Sequence, residues 1–178
     1  MMTAVELVGL EMKRLHKMLD GTVAGLTPEQ LHAIPGGHPR ANTLAWGLWH
    51  VVRTEDNIVR FVVQNRRPTV WVEGGYPEKL GLHPAAQGTG MSLEEARALR
   101  INDSGLFREY MQKVWASTDE LLGTADPAIV DRTITIKGMG DMPVVVAIAR
   151  ICLAHGMTHF GEMELARLLV GAGPVTTV

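Results

Sequence analysis

Apolar residues recur at steps of three and four along four separate stretches of this chain, a pattern that buries hydrocarbon only by packing helix against helix. The first line runs Val5, Val8, Met12, Leu15 and Leu19, and stops near Asp20-Gly21 or at Gly25. The second runs Leu44, Leu48, Val52, Val59 and Val62, in a helix that Asn42 is suited to cap and that ends by about Asn65, ahead of Pro68. Ser92 and Glu95 form a capping box for the third, traced by Leu99, Leu106, Tyr110, Val114 and Leu121, with Gly105 marking a kink. The fourth runs Val144, Ile148, Ile151, His155, His159, Glu162, Ala166 and Leu169. Four such lines predict an all-α fold, a four-helix bundle.

The connections carry their own signals. Thr27, Pro28 and Gln30 make a capping box for one short helical turn, and Pro35-Gly36-Gly37 then breaks the chain. Residues 66–91, between the second and third helices, are rich in glycine and proline and include Trp71, Tyr76 and His83. A connection that long inside one domain reads as a functional loop. Thr and Ile alternate from Arg132 to Lys137 before a Gly138-Met139-Gly140-Asp141 turn, so a small hairpin is compatible there, while Pro143 is suited to open the fourth helix. No period repeats, and 178 residues suit a single domain over 1–178.

Composition narrows the function classes. A net charge of −2 gives no electrostatic reason to expect nucleic acid or an anionic membrane as partner. No apolar run reads as reaching the roughly 18 residues of a bilayer span. Glu6 and Glu11 interrupt the N-terminal stretch, which is therefore not a secretory signal. Cys152 is the single cysteine, which excludes an internal disulfide framework and fits a reducing compartment. The expectation is a soluble cytoplasmic protein.

The fourth line is unusual at its centre. His155, His159 and Glu162 stand where leucine or valine is expected, and burying such groups without partners costs roughly 2–7 kcal/mol for a neutral one and more for a charge. Histidines at i and i+4 share a face and can present nitrogens to one cation. Gly-Met-Thr lies between them, so the glutamate of the H-E-x-x-H metalloproteases is missing. Taken alone the spacing is weak, and two satisfied core histidines answer it equally well. Glu162 is either a base or ligand-orienting group, or a salt-bridged core carboxylate. Cys152 reads as a small buried hydrophobe, with a soft fourth ligand as the alternative.

His50 is the candidate third ligand, against its helical phase. At about 100° per residue it lies roughly 140° from the centre of the apolar arc of its helix, which marks a surface or cleft residue. It shares a mixed stripe with Trp46, Arg53, Thr54, Asn57 and Phe61. Glu55 is the opposite case, a carboxylate inside the arc that needs a partner, a metal-site role or a dimer contact. Asp103 falls on the inward line of the third helix, as support for a metal site or as a polar helix end. His16 reads as a boundary residue or a pocket lining, and His32, His38 and His83 as solvated. Trp46, Trp49, Trp71 and Tyr76 serve either packing or a pocket wall, and the ten methionines fit adaptable core packing.

The run Asn42-Thr43-Leu44-Ala45-Trp46 through His50 and Arg53-Thr54-Glu55-Asp56-Asn57, followed by His155-x-x-x-His159-Phe160-Gly161-Glu162, resembles the DinB/YfiT-like metalloenzymes. Leu26-Thr27-Pro28-Glu29-Gln30-Leu31 is similar to them as well, so the likeness spans nearly the whole chain. It implies a DinB-type four-helix bundle, often a homodimer, and a three-histidine divalent-metal site matched here by His50, His155 and His159. The resemblance, not the helical phase, brings His50 into that set. Zinc or nickel is the implied ion. Some relatives are transferases or isomerases that use a low-molecular-weight thiol such as mycothiol or bacillithiol.

Three functions follow as expectations. The first is a metal-dependent transferase or hydrolase of a small molecule, with a thiol as preferred cosubstrate and Glu162 as catalytic candidate. The others are a non-catalytic metal-binding stress-response module, and a structural helical dimer whose histidines satisfy one another.

Overall fold

A computed structural model describes residues 1–124 and 126–175. Thr3 accepts from the Glu6 N–H while Glu6 reaches back to the Thr3 N–H, and this capping box starts α1, Ala4–Val23. The predicted box at Thr27 opens the short α2, Pro28–His32. Thr43, not Asn42, caps α3, Leu44–Asp56, which runs on as a π-helical stretch, Asn57–Val63. The long connection that follows is largely structured. It forms α4 (Val70–Glu73) and α5 (Tyr76–Leu80) before an irregular return.

The third predicted line is two helices. The Ser92–Glu95 box starts α6, Leu93–Ala98, and α7 spans Ser104–Gly123. The break falls ahead of Gly105, and Asp103 is the N-cap of α7, accepting from the Leu106 N–H. Asp103 is thus a polar helix end and no support for a metal. Leu99 and Ile101 are buried between the two helices, so the apolar line continues although the helix does not. α8 is the single turn Pro127–Val130. Thr133–Ile136 (β1) and Gly140–Pro143 (β2) form the two-stranded antiparallel hairpin, with Ile136 opposite Gly140. Pro143 then caps α9, Val144–Leu169, in which Ile148–Ala154 is π-helical.

α1, α3, α7 and α9 are the four long helices of the bundle. α1 packs on α7 and α9, and α3 on α7 and α9. Met12, Leu15, Leu19, Leu44, Leu48, Val52 and Val59 have no exposed surface, and each such side chain contributes about 1.5–3 kcal/mol relative to exposure. The inward line of α9 departs from the expected one. It runs Val144, Ile148, Cys152, Gly156, Phe160, Met163 and Ala166, because the wider π turn rotates the later residues about the axis. His155 and His159 sit half-buried on the flank of this line, while Glu162 and Leu169 are exposed. Gly156 meets α1 directly, since a Cβ there would stand 2.5 Å from Leu15 Cδ2.

α9 also corrects the expectation about bilayer spans. At 26 residues it is long and apolar enough to cross a membrane by length and composition, with 33% of its most apolar window buried. Its inward face packs on α1 and α3, so part of that apolarity belongs to the bundle.

The carboxylate of Glu55 has partners from two other helices. His16 Nε2 on α1 lies 2.9 and 3.2 Å from its oxygens, and Thr118 Oγ1 on α7 donates at 2.5 Å. His16 stacks on Trp115 at 5.0 Å. All three polar side chains are buried, so His16 is a core residue and not a boundary one. Glu55 ties three helices together and lies outside the histidine cluster.

Candidate metal centre

α3 presents His50 one turn after Trp46, and α9 presents His155 and His159 one turn apart. The three rings converge. His155 Nε2 lies 3.2 Å from His50 Nε2 and 3.1 Å from His159 Nε2. One ligand nitrogen from each ring falls within 4.8 Å of the other two, so the cluster could hold a metal ion.

The hydrogen bonds behind the rings fix which nitrogens are free. His50 Nδ1 lies 2.5 Å from the Gln87 carbonyl, and His159 Nδ1 lies 2.7 Å from Glu162 Oε2. Both partners are acceptors, so each Nδ1 carries the hydrogen and each neutral ring turns a lone pair at Nε2 toward the centre. His155 Nε2 faces both and holds at most one hydrogen, which satisfies at most one of them. With that hydrogen in place one inward lone pair is still left without a partner, and with it on His155 Nδ1 all three lone pairs converge; a cation between the rings would answer either case. Burial, then the two neighbouring imidazoles, hold His155 down to about 4, and burial also lowers His50. The donor set is neutral imidazole, which suits zinc, copper, iron and nickel alike. His155 Nδ1 is buried without a partner, so two of the three ligands have outer support and one lacks it.

The burial of His50 against its helical phase has one cause: the connection after α3 folds back over it. Gly88 adopts φ +93°, and a Cβ there would stand 2.5 Å from His50 Nδ1. Two residues of α3 hold that segment down. Arg53 donates to the Ala86 carbonyl at 3.1 Å and lies 5.1 Å over the Trp71 ring. Asp56 accepts from the N–H groups of Val70 and Trp71 at 2.8 and 2.9 Å, from Tyr110 Oη at 3.0 Å and from Arg53 at 3.3 Å. Burial raises the Asp56 carboxyl, and those donors pull it back. Every neighbour is a donor, so the site accommodates the carboxylate.

The matching of the sequence against protein families covers residues 11–163 with the DinB superfamily. The chain belongs to that superfamily. Its fold is similar to a crystal structure described as the conserved protein of a locus from Enterococcus faecalis, with TM-score 0.80 and 20% identity over 96% of this chain and 99% of that one. At that identity the likeness speaks for the fold alone. No curated protein matches.

In this DinB chain the remaining candidates separate cleanly. Glu162 is no core carboxylate. Its side chain is 64% exposed and it orients His159. Cys152 is a buried free thiol, pushed well up by burial and then by Glu55, and it stands outside the cluster. Trp46 walls the site, stacked on His50 at 4.9 Å and edge-on to His159 at 6.0 Å, whereas Trp49, Trp71 and Tyr76 pack in the core. His32 is not solvated. Its Nδ1 donates to the Pro28 carbonyl and its Nε2 accepts the Ile101 N–H, joining α2 to the α6–α7 linker. Gln87 and Gly88 escape sequence reasoning, because a backbone carbonyl and a left-handed glycine carry no pattern. Arg53 had a signal, the stripe it shares with His50.

Proposed function

We propose that this chain is a divalent-metal-dependent enzyme acting on a small molecule, a transferase using a low-molecular-weight thiol or else a hydrolase. His50, His155 and His159 are its ligands, and zinc or nickel its ion. The observation that carries the reading is the convergence of three Nε2 atoms, with the outer nitrogens of two rings set against hydrogen-bond acceptors. A divalent ion held by these three residues would supply a Lewis acid to a bound molecule.

The chain's own groups do the rest. Gln87 and Glu162 keep the lone pairs of His50 and His159 directed inward. Trp46 excludes water from one side of the rings. Among the described residues Glu162 Oε1 makes no hydrogen bond, and Glu162 lines an adjoining cleft, where it is placed to accept a proton from a bound molecule. The proposal also takes in a cytoplasmic setting, a pair of identical chains, and no nucleic-acid or membrane partner.

Elemental analysis of untreated protein tests it, together with thiol-conjugation and hydrolysis assays with and without chelator. The expected result is about one zinc or nickel per chain, falling to near zero in His155→Ala with the helical spectrum retained. Chelated protein that stays folded and equally active would remove the enzyme reading.

A further inference from the structure

Arg60 is 4% exposed, yet its guanidinium uses only Nη2, which donates to Glu73 at 2.7 Å. Nε is buried without a partner, and among the described residues Nη1 has none either. The π-helical stretch after α3 carries this arginine inward, directly after Val59 of the core. Ser117 on α7 repeats the anomaly, being 8% exposed with its Oγ buried and unpartnered. Both side chains line one cavity of about 440 Å³ between the π stretch, the end of α4 and α7. None of the three histidines lines it.

The charged groups around it come from separate parts of the chain. Lys113, Ser117 and Glu120 follow at steps of four and three on one face of α7. Arg67 arrives from the turn after the π stretch, where Asn65 and Arg66 adopt φ of 53° and 61°. Glu73 ends α4. Arg60, Arg67 and Lys113 thus face Glu73 and Glu120, three cations against two carboxylates, with one net positive charge. Lys113 is paired with Glu109 at 2.7 Å and Arg67 with Gln64 at 2.8 Å, so each keeps further hydrogens to donate. Among the described residues the Glu120 carboxylate makes no hydrogen bond or ion pair.

We infer that this cavity binds a phosphate that carries a hydrogen, at a site separate from the metal centre. The buried atoms without partners are a guanidinium N–H and a hydroxyl, so the group they lack is an acceptor. The phosphate oxygens accept from Arg60 and Ser117, with Arg67 and Lys113 completing the cationic side, and the P–OH donates to Glu120. Donors that arrive from three elements surround a tetrahedral anion, whereas a planar carboxylate offers them one edge. Glu120 sets the selection. Sulfate has no hydrogen to give it and leaves two acceptors facing one another, so it is rejected although its shape is the same. The volume, equal to roughly fifteen waters, admits the anion with part of its hydration.

Titration calorimetry on the full chain in low salt tests it, with inorganic phosphate against sulfate at about pH 6, where phosphate carries hydrogen and sulfate none. The expected result is about one phosphate per chain, bound at least about tenfold more tightly than sulfate. Ser117→Ala and Lys113→Met each weaken phosphate binding by about 3–10-fold, and Arg60→Met abolishes it. Should Arg60→Met fail to fold, the other two variants carry the test. Glu120→Gln, whose amide can donate, admits sulfate and narrows the preference. His155→Ala still binds phosphate, which separates this site from the histidines. Absence of phosphate binding overturns the site, as do equal affinities for phosphate and sulfate, or affinity unchanged in both Ser117→Ala and Lys113→Met. Loss of binding in His155→Ala overturns it too, by placing the anion at the metal centre. A preference unchanged in Glu120→Gln overturns the selection by that carboxylate.

Discussion

Gly88 makes the sharpest single-residue prediction. Its left-handed backbone and the 2.5 Å approach of a virtual Cβ to His50 Nδ1 mean that Gly88→Ala must displace the Gln87 carbonyl. The loss of that outer support should weaken zinc binding by about 10–100-fold, read by competitive chelator titration, with little change in helical content. Glu55 predicts the opposite separation. Glu55→Gln removes the charge that His16 and Thr118 share and should cost about 1–3 kcal/mol in urea unfolding while metal content stays the same. A metal content that fell with Glu55 would tie the buried cluster to the site after all.

At the scale of elements, the segment after α3 completes the site from outside the bundle. Arg53 and Asp56 fasten it, so Arg53→Met should raise amide exchange across residues 82–91 while α1 and α7 stay protected. Zinc affinity should fall with it, since the carbonyl behind His50 belongs to that segment. Helix starts carry a pH signature. Backbone and side-chain hydrogen bonds in the capping boxes hold the Glu6 and Glu95 carboxyls below 4.5. A carboxyl lowered on folding contributes stability above its unfolded value and loses it as pH falls through the lower folded one. Glu6→Gln with Glu95→Gln should therefore lower stability slightly near neutrality, flatten the acid limb of the stability–pH curve, and converge with the wild type in strong acid, read by urea unfolding across pH.

For the whole molecule, α9 turns Leu165, Leu168 and Leu169 to the surface, and α1 exposes Leu7 and Leu10. These residues support the proposed pairing of two chains. Sedimentation equilibrium should give the mass of two copies, and Leu168→Glu should shift it toward one if that helix lies in the interface. A monomer at every concentration would remove this part of the proposal.

The sequence by itself determined the elements. The spacing of Leu15, Leu48 and Val114, the caps at Thr27 and Ser92, and the Thr–Ile alternation before α9 are local, and local backbone preferences fixed them. It also supplied the three histidines, through their family pattern. Only tertiary structure decided what each polar residue does, because that depends on a partner distant in the chain. Periodicity placed His50 at a surface until the return of residues 82–91 covered it, and Glu55 stood unexplained until α1 and α7 brought His16 and Thr118 to it. The phase of α9 beyond Ile148 followed the same rule: packing introduced a wider turn there, and the buried line moved from Ile151 to Cys152.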